Sequence, residues 1–250
     1  MMGPEPFLKV VSLSKNFGGI QAINSLSFDL IKGELLGLIG PNGSGKTTAV
    51  NLITGFVKPS EGEVIYQGKN ITSMPPHKIV RLGITRTFQM VKPFYQLPAF
   101  KNMIIPLYSP RVKKMKGGKY GDRDAVALDL LEEVGFERDS MVAFKSAGAL
   151  PQGYLKRLEL AKSIALNPDL MILDELFSGL SLAEVAGIVP IIEKMRLQGK
   201  TIIMIEHRLK ELFRIADRII VLNYGQKIAE GKSGEVMEST EVKKAYLGAE

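Results

Sequence analysis

The chain has 250 residues, a net charge of +7, 45% hydrophobic and 24% charged residues, no cysteine and two histidines. That length carries one large domain or two small ones with a sizeable core, while the cysteine and histidine counts exclude disulfides, thiolate metal sites and a multi-histidine metal centre. No apolar run reaches bilayer-spanning length, and Met1-Met2-Gly3-Pro4-Glu5-Pro6 is no secretory signal, so the expected location is the cytoplasm; the positive charge is either attraction to anions or simply a basic surface.

In chain order, 7–11 and 25–30 read as short strands around a loop with Gly18 and Gly19. The stretch 63–66 reads as a third strand ended by Gly68, and together they predict a small antiparallel sheet. Leu35–Ile39 is a continuous apolar run before Gly40, which suits a strand buried on both faces. The runs 170–173 and Thr201–Ile205 have the same character. Between them, Leu182–Leu197 sets Val185, Ile188, Val189 and Ile192 at helical spacing, and Pro190 predicts a break or kink. Alternating strands and helices predict an α/β fold with a mostly parallel sheet. Helical patterns over 124–134 and 153–165 predict a helical subdomain at 92–162. It is inserted in an α/β core that, with the β subdomain, spans 7–91 and 163–250, all within a single domain over 1–250. The basic stretch 111–119 reads as a solvated loop.

Gly40-Pro41-Asn42-Gly43-Ser44-Gly45-Lys46-Thr47 has the spacing G-x-x-x-x-G-K-[ST], between an apolar strand and a helical pattern. Glycines let backbone N–H groups turn inward around phosphate oxygens, and the helix N-terminus adds a positive dipole end. Asn42, Gly43, Ser44, Gly45, Lys46, Thr47 and Thr48 are therefore candidate nucleotide-binding residues. Lys46 is expected on the β- and γ-phosphates, and the Thr47 hydroxyl on Mg²⁺. The run 170–173 ends in Asp174-Glu175, at the strand end where open α/β sheets bind ligands. Asp174 is placed to hold Mg²⁺ and Glu175 to polarise an attacking water. Thr201–Ile205 ends in Glu206-His207, which puts His207 on the same edge, within reach of a γ-phosphate.

These motifs, with Gln89 and 150–160, stand in the order and spacing of an ABC (ATP-binding cassette) ATPase, and the resemblance covers nearly the whole chain. The sequence looks most similar to ATPase subunits of branched-chain amino acid importers. That likeness rests on Lys15-Asn16-Phe17-Gly18-Gly19-Ile20-Gln21-Ala22, Asn51-Leu52-Ile53-Thr54-Gly55-Phe56, Arg81-Leu82-Gly83-Ile84-Thr85-Arg86-Thr87-Phe88-Gln89 and Ala245-Tyr246-Leu247-Gly248. The resemblance implies a P-loop NTPase (RecA-like) fold that binds and hydrolyses ATP with Mg²⁺. It implies Phe17 stacked on adenine, Gln89 touching Mg²⁺ or the attacking water, Leu180 and Ser181 in a loop crossing between subunits, and His207 as a switch residue. ATP would lie between one subunit's phosphate loop and a partner's signature segment, here Leu150-Pro151-Gln152-Gly153-Tyr154.

The signature departs from the family pattern. Pro151 replaces a serine, Tyr154 replaces a glutamine, and Leu176 replaces a proline after the glutamate. Pro151 offers neither hydroxyl nor N–H. A lost hydrogen bond to a charged oxygen costs about 1.5–3 kcal/mol. Weakening is expected on the partner's ATP, and with it pairing to a different ATPase subunit. Implied partners are two transmembrane permease subunits, contacted through the helical subdomain, and a second ATPase subunit in a hetero- or homodimer. An extracellular or periplasmic substrate-binding protein is an indirect partner, and nucleic acid is not one. The implied location is cytoplasmic, peripheral on the inner face of the cell membrane. Competing expectations are a soluble non-transport ABC ATPase, a lipid or polysaccharide exporter, and a nucleotide-binding regulator without turnover.

Overall fold

The computed structural model describes residues 5–88, 90–115 and 122–247; Gln89 and Gly248 lie outside them. Strand β1 (Leu8–Phe17) turns through Gly18 and Gly19 into β2 (Ile20–Leu30), and both are longer than expected. The polar stretch 12–16 hides β1 from a period-2 reading because register shifts between Val10 and Asn16 break the alternation. After β3 (Leu35–Ile39) and α1 (Lys46–Ile53) come β4 (Glu61–Tyr66) and the short β5 (Lys69–Asn70). These complete an antiparallel sheet in the order β2-β1-β4-β5.

Helix α2 (Pro76–Leu82) leads into β6 (Ile84–Arg86). A helical stretch follows: α3 (Ile104–Leu107), α4 (Pro110–Met115), α5 (Arg123–Glu133) and α6 (Gln152–Ala165). The chain then alternates β7 (Leu170–Asp174), α7 (Leu182–Leu197), β8 (Thr201–Ile205), α8 (Leu209–Ile215) and β9 (Arg218–Asn223). It closes with β10 (Gln226–Gly231), α9 (Ser233–Glu238) and α10 (Thr240–Leu247).

The second sheet runs β10-β9-β3-β8-β7-β6, parallel except for the β10–β9 pair. Every residue of β3, β7 and β8 is buried. Their side chains alternate between two cores. Leu35, Ile39, Met171, Leu173, Ile202 and Met204 face the core shared with α5, α6 and α7. Leu36, Leu38, Ile172, Ile203 and Ile205 face the core shared with β1, β2 and α1. A strand covered on both sides needs a continuous apolar run, as these sequences have.

Two local expectations need correction. The stretch 111–119 was expected to be a solvated loop, yet 110–115 is helical. Arg111 donates to Asp169 Oδ2 at 2.8 Å and to the carbonyls of Leu166 and Asn167, so its charge is spent on structure. Of the break or kink expected at Pro190, the break is absent: α7 is one helix through it. Ala186, whose carbonyl loses its i+4 donor, and Pro190 both lie on the exposed face, open to solvent. Pro190→Ala should therefore stabilise the fold by about 2 kcal/mol, the helix-interior penalty of about 3 less about 0.4–1 for a freer unfolded chain. Urea midpoints measure this, and an unchanged or lower midpoint would contradict it.

Candidate functional site

Parallel pairing of β9, β3, β8 and β7 brings the carboxyl ends of β3, β7 and β8 to one edge; in register, Leu38 and Asp174 both lie opposite Ile205. The phosphate-type loop leaves β3 there. A Cβ on Gly40 (φ 151°) would fall 2.1 Å from Leu222 O, and one on Gly45 (φ 101°) 2.7 Å from Ala22 O, so both positions demand glycine. Lys46 Nζ donates to Gly40 O at 2.7 Å and Pro41 O at 2.9 Å. Burial pushes the Lys46 ammonium down from its ordinary range, against the pull of Glu175 and Asp174. Ser44 Oγ is buried without a hydrogen-bond partner. Beneath the loop, the closing helix brings Tyr246 against the Gly40 backbone, and burial raises its hydroxyl pKa.

Asn42, Gly43, Ser44, Gly45, Lys46, Thr47, Thr48, Glu175 and His207 line one cavity of ≈ 350 Å³. His207 Nε2 lies 2.9 Å from Glu175 Oε1. Glu175 sits at φ 49°, the left-handed region that non-glycine residues enter at a cost of about 1–3 kcal/mol and that recurs at functional sites. The fold holds it there: Glu175 N–H donates to Ile205 O at 2.9 Å, and Lys156 Nζ donates to Glu175 O at 3.0 Å.

Other expected residues are placed elsewhere. Phe17 ends β1 with a half-exposed ring under the Lys15 ammonium, 5.1 Å away. The opposite arm of that hairpin, Ile20 to Ala22, lines the cavity instead, together with Tyr224. Leu150 is buried, and Pro151 is the exposed N-cap of α6 without a side-chain cap bond. Tyr154 turns inward, edge-on to Phe136 at 5.0 Å. Ser181 caps α7 in a reciprocal box with Glu184. A Cβ on Gly153 would fall 2.4 Å from Glu184 Oε1, so this carboxylate lies against the start of α6, and the hydrogen bonds from Ser181 hold its pKa low. The α6 N-terminus therefore already faces a carboxylate of its own chain. Gln89 lies outside the described residues.

Three charged groups at this edge escape a motif search. Arg86, on β6, pairs with Asp174 at 2.6 Å. Lys156 is buried behind Glu175, and burial lowers its pKa. Glu206, also buried, accepts the Phe177 N–H at 2.8 Å, and burial raises its carboxyl to about 8. Phe177 N–H and Lys156 oppose that rise, and Glu175 adds to it. Arg86 stands within the quoted stretch 81–89, and its place between alternating threonines was the available signal.

The donor set fits a nucleotide with a bridging cation. Loop N–H groups, the orphaned Ser44 hydroxyl and Lys46 would be the donors for phosphate oxygens. Among the described residues, no three His, Asp or Glu side chains stand together to hold a metal. Thr47 and Asp174 would supply the one or two oxygens that Mg²⁺ takes from protein when phosphates complete its shell.

The profile described as "ABC transporter" matches residues 23–178, more than half of the chain. A protein of Pseudomonas aeruginosa, the high-affinity branched-chain amino acid transport ATP-binding protein BraF, is 34% identical over 97% of this chain and 98% of its own. A nucleotide-free ATP-binding cassette from an ABC transporter superposes with a TM-score of 0.87 at 30% identity, over 98% of this chain and all of that one. A dimeric cassette in a post-hydrolysis state, bound to ADP and Pi, superposes with a TM-score of 0.79 at 26% identity, over 90% of this chain and 98% of that one.

The raised Glu206 pKa sets a pH dependence. Its carboxyl ionises at about 8 folded against an ordinary 4.5, so the native state binds the extra proton. Stability is full below the lower value and falls as pH rises toward the upper, at up to about 1.4 kcal/mol per pH unit. Glu206→Gln keeps an acceptor for Phe177 N–H but cannot ionise. Its Tm should gain on wild type steadily as pH rises from about 5 to about 8; parallel Tm curves would contradict the assignment.

Proposed function

This chain belongs to the ABC transporter family, and from that premise we propose that it hydrolyses ATP to drive an importer of branched-chain amino acids. One observation carries the catalytic part: the phosphate loop, Glu175 and His207 surround one cavity at the edge where Asp174 ends β7. The substrate class rests on the relative named for branched-chain amino acid transport.

In this reading, backbone N–H groups of 42–48 and the Lys46 ammonium bind the ATP phosphates. Phe17, at the tip of its hairpin, offers an apolar face for adenine. Thr47 and Asp174 hold Mg²⁺, with Gln89 as a further ligand; when bound, the ion neutralises and orients the phosphates. Glu175 accepts a proton from the attacking water, and His207, bonded to Glu175, steadies that carboxylate and the γ-phosphate end.

The same reading assigns the helical region 92–162 to a pair of permease subunits. An apolar groove of ≈ 390 Å³ between α2, α3 and α6, walled by Phe56, Phe88 and Ile105, is the surface it gives them. The chain would then sit on the inner face of the membrane; among the described residues no helix is long and apolar enough to cross one. A substrate-binding protein outside the membrane would reach the cassette only through the permease.

The second ATPase subunit is read as a different chain. Two features of α6 support this: Pro151 has no donor to give a partner's phosphate, and the Glu184 carboxylate of its own chain already lies against Gly153. The partner's ATP thus meets a weak signature, while this chain's own loop is intact.

Glu175→Gln tests the reading. It should retain Mg-ATP binding and lose at least about a hundredfold in ATPase rate, the low end for removal of a general base. Unimpaired turnover would overturn Glu175 as the base. In solution its mass with ATP should remain that of a monomer; an ATP-driven homodimer would overturn the requirement for a distinct partner.

A further inference from the structure

One planar cation joins the metal-side carboxylate to the apolar groove. Arg86 Nη2 donates to Asp174 Oδ2 at 2.6 Å, and Nη1 donates to Asn51 Oδ1 at 2.6 Å. Asn51 belongs to α1, the helix that starts at Lys46, so a single guanidinium spans the phosphate-loop helix and the end of β7. The Arg86 and Asp174 side chains are 7% and 5% exposed. Phe56 and Phe88 flank the guanidinium with ring centroids 5.9 and 5.2 Å from Cζ, and they meet each other edge-on at 5.7 Å. Both rings are half-exposed walls of the groove.

The pairing is one-sided. Arg86 grips Oδ2, the backbone N–H of Asp174 is held by Thr87 Oγ1 at 3.1 Å, and Oδ1 makes no hydrogen bond among the described residues. A carboxylate free to turn is a poorly placed ligand for a hard cation. A carboxylate fixed by one oxygen aims the other. The guanidinium fork suits this task because it serves two acceptors in one plane, which an ammonium does not.

We propose that Arg86 is the positioning residue of the metal site: it holds Asp174 by Oδ2, presents Oδ1 to the cation of a bound nucleotide, and is itself held by the aromatic wall of the groove. The inference rests on the ATP reading above. Its opposite is also physical: a guanidinium beside the ligand could repel Mg²⁺ and weaken its binding. The two differ in sign.

The test uses the full chain, a fluorescent N-methylanthraniloyl ATP and a Mg²⁺ titration, on wild type, Arg86→Ala and Arg86→Lys. In EDTA the variants should bind the nucleotide within about twofold of wild type. The Mg²⁺ concentration that gives half of the metal-dependent change should rise at least about tenfold in Arg86→Ala, the low end for loss of a ligand-orienting partner. Arg86→Lys, which keeps the charge and loses the fork, should fall between. A Mg²⁺ midpoint that falls means competition and overturns the proposal. An unchanged midpoint, with EDTA affinity and Tm lowered together, means a purely structural role and also overturns it. If Arg86→Ala does not fold, Arg86→Lys carries the same comparison. Failure of the wild type to bind the nucleotide would instead sink the ATP reading itself.

Discussion

Three parallel strands buried on both faces impose the layout of this molecule. Along β3, β7 and β8 every apolar side chain points into one of two cores, and no charged group appears on them before Asp174 closes β7. Polar chemistry is confined to the strand ends. Parallel pairing makes those ends coincide, and the phosphate loop, Asp174-Glu175 and Glu206-His207 are the three segments that follow. The same burial that stabilises the sheet therefore concentrates function on one rim.

Charge at that rim is expensive, and the structure gives each charged group a specific answer. Lys46 rests on the carbonyls of its own loop. Asp174 takes Arg86, and Lys156 takes the backbone of Glu175. Glu206 answers differently, by retaining its proton. These contacts also tie elements together. Arg86 reaches from β6 to α1 and β7, Lys156 from α6 to the end of β7, and Glu184 from the α7 cap to the start of α6. Loss of Arg86 would leave the buried Asp174 charge unmatched, a constraint stronger than apolar contact alone.

Much of this was legible in the sequence, and the illegible parts have physical causes. The buried strands were readable because two-sided burial needs unbroken apolar runs, and the phosphate loop because its glycines meet φ values or clashes that other residues cannot accept. The length of β1 was hidden by bulges that scramble alternation, and the helix over 110–115 by a density of lysine and arginine that reads as loop. The expected break at Pro190 is absent from α7, and the cost of a helical proline depends on which face it occupies, a fact of tertiary structure. Arg86, Lys156 and Glu206 were missed for a related reason: a buried charge is recognised by its partner, and the partners are 88, 19 and 29 residues away. The Glu184 carboxylate beside the start of α6 comes from a residue 31 positions after Gly153, and only the coordinates bring the two together.

Central to the account is that one rim forms one ATP site, with Lys46 transferring from its own loop carbonyls to the phosphates. Equilibrium binding of Mg-ATP to wild type and to Lys46→Ala tests it most directly. Saturable 1:1 binding by the wild type, weakened at least about tenfold by the substitution, a loss of about 1.4 kcal/mol, is the result the account predicts. Binding of equal strength in both proteins, or none in the wild type, would contradict it.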